Sequence, residues 1–366
     1  MQSGRLKIYK RPLFKKKLRL SIILLIMVAL IYSIYWFFHA NLIEDKFRKF
    51  SSSIGDWAIY LSFESINISG FPYSFSVNLI NPILTFGLSN GPNRNEKSLE
   101  LTNNLISVKI SPWNYRIYNI NFGEKHNFDF FNNNKHSSFR GITEKFNINL
   151  VFDHIFDTFE LDFDIAKLKF QTKNLVTLFS AKNLILSVSE QNKQPAPNDN
   201  GEIKGNYNLF IRSEGFAISE MFNLPESQVI ELISAKIKIF GYLNTPINAK
   251  NIEYWRENGG IIEIEEFEIV DAKFKSTLNG TVSLDNNLQI LAAFVAEVEG
   301  LPFVIKSLYD NSRISAGIAE KLNFLLDLIS KTSPNGARKN SFPITIQDRE
   351  LFIGRTPLVE LPTISW

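Results

Sequence analysis

The chain has 366 residues, of which 45% are hydrophobic and 21% are charged, a composition typical of a folded globular protein rather than a disordered one. It contains no cysteine, which excludes disulfide bonds, thiolate metal sites and cysteine nucleophiles. Of its 40 basic residues, eight precede the first long apolar run with no acidic residue among them. The remaining 32 face 37 acidic residues, so the body is acidic, which argues against a nucleic-acid partner.

The first element in chain order is an uncharged stretch of 19 residues at 20–38, "LSIILLIMVALIYSIYWFF". It is about long enough to cross the hydrocarbon core of a bilayer, and the cations of the 1–19 tail favour a cytoplasmic N-terminus. The alternatives are a cleaved signal peptide and a buried core helix. Because the run is long and is followed by no small-residue cleavage site, the sequence favours an uncleaved transmembrane signal anchor.

An outer body follows the anchor. The apolar spacing within 41–53 predicts a short amphipathic helix, so 39–56 is expected to connect the anchor to a β-rich domain at 57–366. In a bacterium the anchor would lie in the inner membrane and this domain in the periplasm. The stretch 190–200, "EQNKQPAPNDN", has two prolines and no apolar periodicity, which predicts a flexible loop.

The stretch 71–79 has the clearest strand pattern in the chain. Its apolar residues occupy every second position, which predicts a strand with one apolar face. These residues are Phe71, Tyr73, Phe75, Val77 and Leu79. The dipeptide Asn81-Pro82 then interrupts the strand, and the apolar parity shifts to 84, 86 and 88. A shift of one residue reverses the buried set, so we expect a bulge or a turn at this dipeptide.

Two more alternating runs lie at 159–165 and 274–284. The second passes through Asn279-Gly280, a common hairpin turn, but its unbroken alternation predicts one continuous strand. Its apolar positions include Phe274, Leu278, Val282 and Leu284. Asn258-Gly259 is predicted to form a hairpin instead.

Shorter strand patterns recur along the body, and helical patterns are few. The strand candidates lie at 57–68, 99–110, 115–122, 142–151, 181–189, 203–213, 235–243, 261–270, 288–298 and 343–353. About a dozen strands joined by short turns predict antiparallel pairing. We therefore expect a β-rich α+β fold, with an N-terminal transmembrane helix, a curved, mostly antiparallel sheet of half-tube form, and C-terminal helices at 302–309 and 315–330.

Several motifs resemble signatures of the DUF2125 family. They are a G-[YF]-P-[FY] corner followed by Asn-Pro, a W-R-x-x-G-G segment, a G-x-L-x-L-D segment and a closing pattern of Gly, Pro and Leu-Pro. The matching residues are Gly70, Phe71, Pro72, Tyr73, Asn81, Pro82, Trp255, Arg256, Gly259, Gly260, Gly280, Leu284, Asp285, Gly354, Pro357 and Pro362. With the anchor, the resemblance covers about residues 20–365.

This resemblance implies an uncharacterised alphaproteobacterial membrane-anchored protein with no established activity. The family is similar in style to AsmA-like envelope proteins, which have one anchor and a long β-rich periplasmic body and are linked to lipid traffic and envelope integrity. For this chain, a link to lipids is an analogy drawn from architecture.

Residues for catalysis or metal binding are scarce. The histidines are His39 at the end of the anchor, His126 and His136 in an Asn-rich stretch expected to be a loop, and His154. A Ser-His-Asp hydrolase needs the three groups in contact, and there is no G-x-S-x-G elbow.

Asp153, His154 and Asp157 could hold a weak divalent ion, but no second cluster supports them. The carboxylates of Glu160, Asp162 and Asp164 are expected to face water on one side of a strand, where lysines of a neighbouring strand would oppose them. We expect no catalytic residue, metal or cofactor.

The leading hypothesis is a non-enzymatic envelope protein. Its apolar face, formed by 71–79 and 274–284, would contact lipid or another hydrophobic ligand, whereas the competing interpretation of this face is an ordinary sealed core. The alternative function is a scaffold that pairs with an envelope protein through an exposed sheet edge. A periplasmic hydrolase is a third.

Overall fold

The computed structural model describes residues 12–52, 59–87, 97–132, 135–153, 158–190, 205–218, 229–241, 248–310, 314–329, 331–332, 338–364 and 366. Twenty-one strands in this part of the chain join into one antiparallel sheet that does not close, consistent with a curved half-tube. The sheet is accompanied by an N-terminal apolar helix and a few short helices. The expected β-rich, mostly antiparallel fold is confirmed.

The described helices differ greatly in length. They are α1 (Pro12–Ser52), α2 (Ala249–Glu257), α3 (Leu301–Asp310) and α4 (Ala316–Ile329). The C-terminal pair, α3 and α4, confirms the helices predicted at 302–309 and 315–330. Helix α1 has no break, so the span predicted at 20–38 continues directly into the part of the 39–56 connector that the structure describes.

The strands are short up to β10, long from β11 to β17, and mostly short again near the C-terminus. The first ten are β1 (Ile59–Ser62), β2 (Ser65–Ser69), β3 (Phe75–Ile80), β4 (Ile83–Gly87), β5 (Lys97–Asn103), β6 (Leu105–Ser111), β7 (Asn114–Asn121), β8 (Lys125–Asn132), β9 (Lys135–Ile142) and β10 (Lys145–Asp153). The others are β11 (Thr158–Thr172), β12 (Thr177–Glu190), β13 (Gly205–Ile218), β14 (Val229–Phe240), β15 (Ile261–Asp271), β16 (Phe274–Leu284), β17 (Ile290–Glu299), β18 (Lys331–Thr332), β19 (Arg338–Gln347), β20 (Glu350–Ile353) and β21 (Thr356–Glu360).

The N-terminal half of the sheet has two branches that meet on β11. The upper branch pairs β2, β3, β6, β7 and β10 in that order, and β10 pairs with the first part of β11. The lower branch pairs β1, β4, β5, β8 and β9, and β9 pairs with the last residues of β11. The chain changes branch after β1 and then after every second strand, and it bends at each of these crossings.

These bends are joined by backbone hydrogen bonds. Asn81, with φ 46°, donates its N–H to Asn104 O at 3.0 Å, and Asn103 donates its N–H to Pro82 O at 3.2 Å. Thr143 donates to Glu124 O at 2.9 Å in the same way. The break expected at Asn81-Pro82 is thus confirmed. It turns the chain so that apolar residues on both sides of it, in β3 and β4, reach the same core.

The C-terminal half is a simple meander. Strands β11 to β17 each pair with the next, and β17 pairs with β19, which is followed by β20 and β21. Strand β16 runs unbroken through Asn279-Gly280, as its alternation predicted. The hairpin predicted at Asn258-Gly259 is wrong, because these residues end helix α2, whose first turn is capped by the side chain of Asn248.

Two clusters of buried apolar side chains lie at opposite ends of the described sheet. The larger one packs α1 against the N-terminal half, and the smaller one packs α3 and α4 together against β19. Most of the loop predicted at 190–200 lies outside the described residues. The Asn-rich loop predicted around His126 and His136 is wrong, because these residues lie in the paired strands β8 and β9.

Candidate functional site

The register of the strands places the two predicted apolar runs on one continuous face. Directly opposed residues of an antiparallel pair point to the same side of the sheet. Starting from Val77, the successive partners are Val108, Ile120, Ile148, Phe163, Leu186, Ile211, Ala235, Phe267, Leu278, Ala296 and Phe342. The apolar residues of 71–79 that lie within β3 and those of 274–284 therefore belong to the same side of the sheet, which we call the apolar face.

At the N-terminal end, helix α1 covers the apolar face. Phe75 and Val77 are 0% exposed, and Trp36 of α1 stacks on Phe75 with ring centroids 5.1 Å apart. Leu79 and Ala40 complete this contact, and both are buried. In this half, the part of the predicted face from 75 to 79 is a sealed core.

From β11 to β17, by contrast, the apolar face stays half exposed. The large side chains at Leu161, Leu186, Ile211, Ile237, Phe267, Leu278, Val282 and Phe294 all keep part of their surface accessible. Seven strands spaced about 4.8 Å apart give this open stretch a width of about 30 Å. Strand β11, with 15 residues, is about 50 Å long at about 3.3 Å per residue.

The far end of the apolar face is covered again. Ile305 of α3 and Leu326 of α4 are buried, and Phe342 of β19 packs against their cluster. The open stretch thus lies between a helical cover at each end.

Phenylalanines add a second apolar feature where the lower branch joins the long strands. Phe170 lies 5.5 Å from Phe128, 5.4 Å from Phe139 and 4.9 Å from Phe179, and Phe179 lies 6.0 Å from Phe216. These five rings, which we call the phenylalanine row, cross β8, β9, β11, β12 and β13. All five are half-buried. No sequence pattern predicted this row, because its members come together only through strand register.

The opposite face of the long strands is mostly polar, although Ile185, Leu291 and Val295 are exposed on it. Lys236 pairs with Glu266 at 2.7 Å and Lys275 pairs with Glu268 at 2.8 Å across neighbouring strands. The hydrogen bond and charge of Glu266 raise the pKa of Lys236 above its usual value. Asp164 pairs with Lys145 of the neighbouring strand, which confirms the expected lysine partner for this carboxylate. No lysine lies directly opposite Glu160 or Asp162 on the paired strands.

The N-terminal family motif forms the turn between β2 and β3 and receives α1. Gly70, with φ 100°, accepts the N–H groups of Tyr73 and Ser74, both at 3.0 Å. A Cβ at this glycine would lie 2.6 Å from Ser74 O, so a larger residue would break the turn. The hydroxyl of Tyr32 donates to Pro72 O, and Trp36 Nε1 donates to Ser74 O at 3.3 Å.

Phe71 and Tyr73 do not join the buried part of the predicted face. Phe71 is exposed yet lies 5.5 Å from Trp36 and 5.8 Å from Phe37, and Tyr73 is 84% exposed. A neighbouring turn holds the same helix, since Tyr35 Oη lies 2.9 Å from Tyr115 Oη.

The C-terminal family motif holds α2 against the sheet. The indole of Trp255 is buried and donates to Phe240 O at 2.8 Å. A Cβ on Gly260 would lie 2.2 Å from this indole, so the glycine leaves room for the ring. Arg256 Nη1 donates to Asp285 O at 2.9 Å, which brings the W-R-x-x-G-G segment to the G-x-L-x-L-D segment.

The turn that contains Asp285 also holds the C-terminus. The carboxylate of Asp285 accepts the N–H of Asn287 at 2.7 Å and that of Gln289 at 2.8 Å. Gln289 in turn accepts the N–H of Ile364 at 2.9 Å, and Trp366 Nε1 donates to Leu288 O at 2.9 Å. The motif residues Arg256 and Asp285 thus link helix α2, the 285–289 turn and the C-terminal residues by hydrogen bonds.

The remaining motif residues are structural or unexplained. Gly280 lies so close to β17 that a Cβ would be 2.1 Å from Ala293 O. Gly354 adopts φ 61° in the turn between β20 and β21, and Pro357 lies in β21. Gly259, with φ 76°, ends α2. Nothing in the structure explains Pro362.

A Ser-His-Asp trio in β8 and β9 has the wrong geometry for catalysis. The Nε2 atom of His136 lies 2.9 Å from Asp129 Oδ1 and 3.2 Å from Ser138 Oγ, and Ser138 donates to the same Asp129. In a catalytic triad the carboxylate and the hydroxyl use different imidazole nitrogens, so this trio cannot relay a proton from the serine.

His126 is sequestered in the bends of the N-terminal half. It is 1% exposed, Asn103 Nδ2 donates to its Nδ1, and its Nε2 donates to Thr143 Oγ1, both at 2.9 Å. Burial lowers the pKa of His126 to about 4, which keeps the ring neutral. This network orients the bends.

Metal-binding candidates are few in the described part of the chain. No group of three or more His, Asp or Glu residues there could hold a metal ion. His154 and Asp157 of the candidate cluster lie outside the described residues. A shallow cavity of about 330 Å³ on the polar face is lined in part by Lys236 and Lys238, and Lys238 is already paired with Glu265.

Helix α1 is the one described helix long and apolar enough to cross a membrane, over Leu18–Lys49. From Leu20 to Ile31 its large apolar side chains are at least half exposed. Exposed residues of this kind need a cover outside the fold, which supports membrane anchoring.

Among known proteins, the chain matches the family model described as "Uncharacterized protein conserved in bacteria (DUF2125)" over residues 36–362. No curated protein and no solved structure matches it. The matched segment begins at Trp36, the first α1 residue buried in the core, and includes the motif residues discussed above. The chain therefore belongs to the DUF2125 family.

Proposed function

We propose that this protein is a non-enzymatic component of the bacterial envelope, anchored in the inner membrane with its body in the periplasm, that binds or shields lipid on the open apolar face. The anchor is supported by the exposed apolar surface of α1, and the orientation by the cations that precede it. A reporter enzyme active only in the periplasm, fused after Trp366, is expected to be active. An inactive fusion of normal abundance would contradict the orientation.

One observation carries the lipid-binding part of the proposal. The same face that is sealed under α1 at Val77 remains partly exposed at Leu186, Ile211 and Val282. Contact between this much apolar surface and water is unfavourable, and acyl chains that covered the surface would remove it from water. The opposite face has scattered apolar residues but also carries cross-strand pairs of lysine and glutamate, so the ligand is expected on the apolar face.

Adjacent residues of β13 give a matched test. Leu209 lies on the apolar face and Phe210 on the polar face, since they oppose Ile237 and Lys236 respectively. A photoreactive amino acid at either position is introduced into the full-length protein in cells, and the adducts formed on illumination are identified by mass spectrometry. We expect phospholipid adducts at 209 and none at 210.

The outcomes separate the candidate functions. Equal lipid adducts at both positions, or none at either, would overturn lipid binding on the apolar face. Protein adducts at 209 would favour the scaffold instead. That alternative has one observation of its own, because among the described strands β21 pairs only with β20 and exposes Val359 at the sheet edge.

A further inference from the structure

The turns that hold α1 differ in chemistry from the other turns of the same sheet edge. We call the segments 70–74 and 111–115 the aromatic corners. They carry no charged residue, and they expose Tyr73 at 84% and Trp113 at 74%, with Phe71 also exposed. Isolated exposed aromatics are common, but three on two adjacent turns are a patch.

Two other described turns on this edge are charged. Following the register along the sheet, the 70–74 turn is on the same edge as the turns at 285–289 and 348–349. These contain Asp285, and Asp348 with Arg349, respectively. Among these described turns, the uncharged, aromatic ones are those that touch α1.

The contacts fix the depth of the aromatic corners along α1. Tyr32 donates to Pro72 O and stacks on Trp113 with ring centroids 5.2 Å apart. Tyr35 donates to Pro112 O at 3.3 Å. The corners are therefore attached to the helix at 32–35, inside the apolar stretch and before its end.

Helix geometry then places this attachment inside the bilayer. Arg19 is the last charge before the apolar stretch, so the hydrocarbon core begins near Leu20. Tyr32 follows Leu20 by twelve residues, which corresponds to about 18 Å of helix at about 1.5 Å per residue. The hydrocarbon core is about 30 Å thick, so Tyr32 lies about 12 Å short of its far boundary, and any tilt of the helix increases that depth.

We infer that the aromatic corners are inserted into the domain-side leaflet of the membrane, where Phe71, Tyr73 and Trp113 contact lipid. Tyr and Trp favour the interface between acyl chains and headgroups, because they have an apolar ring and a polar atom. The occupant of this surface is the bilayer around α1. The inference depends on α1 spanning the membrane and is independent of lipid binding on the apolar face.

The absence of native cysteine makes the test direct. Trp113→Cys and Tyr73→Cys, each labelled with a fluorophore in the full-length protein, are reconstituted into vesicles of phosphatidylethanolamine and phosphatidylglycerol that contain lipids with nitroxide-labelled acyl chains. We expect most of the fluorescence at both positions to be lost. Leu25→Cys in the span is the positive control, and Val176→Cys, exposed at the opposite edge of the sheet, is the negative control.

The controls leave a clear decision. If the label at 25 is quenched by the lipid nitroxides and those at 73 and 113 are quenched only by aqueous iodide, the corners lie outside the bilayer and the inference is overturned. If the label at 25 is not quenched, α1 does not span the membrane and the inference also fails. Quenching at 176 equal to that at 113 would show non-specific association and would likewise overturn it.

Discussion

Val77 and Val282 lie on the same face of one sheet, yet Val77 has no exposed surface and Val282 is half exposed. The difference comes from what covers each half. In the N-terminal half, short strands bend around α1, and residues from both sides of each bend reach its surface. In the C-terminal half, long strands run without such bends past the middle of the sheet. An alternating pattern therefore identifies a face but does not reveal its cover.

The largest expected effect concerns the helix that seals the N-terminal half. Trp36→Ala removes a ring that is 3% exposed and stacked on Phe75. Loss of a buried aromatic side chain typically costs about 3–5 kcal/mol, because it removes both transfer energy and packing. The midpoint of urea unfolding of the full-length protein in detergent micelles should fall accordingly.

A neighbouring residue on the same helix is the matched control. Phe38 is similar in size but exposed, so Phe38→Ala should change the unfolding midpoint little. Equal destabilisation by both substitutions would mean that α1 contributes to stability through the micelle rather than through the core.

A smaller effect is expected from pH, again in the N-terminal half. His126 has a folded-state pKa of about 4, against about 6.5 for an unfolded chain. Since the unfolded state binds the proton more tightly, stability should fall as the pH drops below about 6.5, by about 2 kcal/mol at about pH 5. The neighbours of His126 do not titrate, because they are Asn103, Thr143 and Phe146.

Unfolding midpoints measured between about pH 7.5 and about pH 5 test this dependence. His126→Gln should flatten it, whereas His136→Asn should leave it unchanged, because His136 is exposed and lies outside the buried network. A pH dependence that survives in His126→Gln would assign the effect to other groups.

The smallest effect is also the most direct comparison of the halves. Val→Thr keeps the shape of the side chain and adds a hydroxyl, which costs about 1–3 kcal/mol where it is buried without a partner. Val77→Thr should show such a loss of stability, and Val282→Thr should cost less than about 0.5 kcal/mol because that site is half exposed. Equal costs would indicate that the two halves are covered alike in solution.

Local patterns were sufficient for much of the fold. The break at Asn81-Pro82 followed from a shift in parity, and the continuity of β16 followed from alternation that persisted through Asn279-Gly280. The helix α4 was visible as apolar residues at helical spacing. Each of these features depends on residues close together in sequence, which a single chain displays directly.

Features that depend on contacts distant in sequence were missed. The sealing of Phe75 needs Trp36, which had been assigned to the span, and the phenylalanine row needs the register of five strands. Helix α2 is short and mostly polar, with Ile252 and Trp255 as its buried residues, so its pattern was too weak to compete with the turn signal of Asn258-Gly259. Burial of His126 depends on bends contributed by several strands.

The double use of α1 has a consequence for any shortened form of the protein. A protein that begins near Ala40, whether cut there by a protease or expressed from that residue, would lack Trp36 together with the membrane segment. Its Phe75 and Val77 would then face solvent. The released fragment would be prone to aggregation, and its failure to behave as a soluble protein would say nothing about ligand binding. Purification that retains the whole of α1 is the condition for studying the native body.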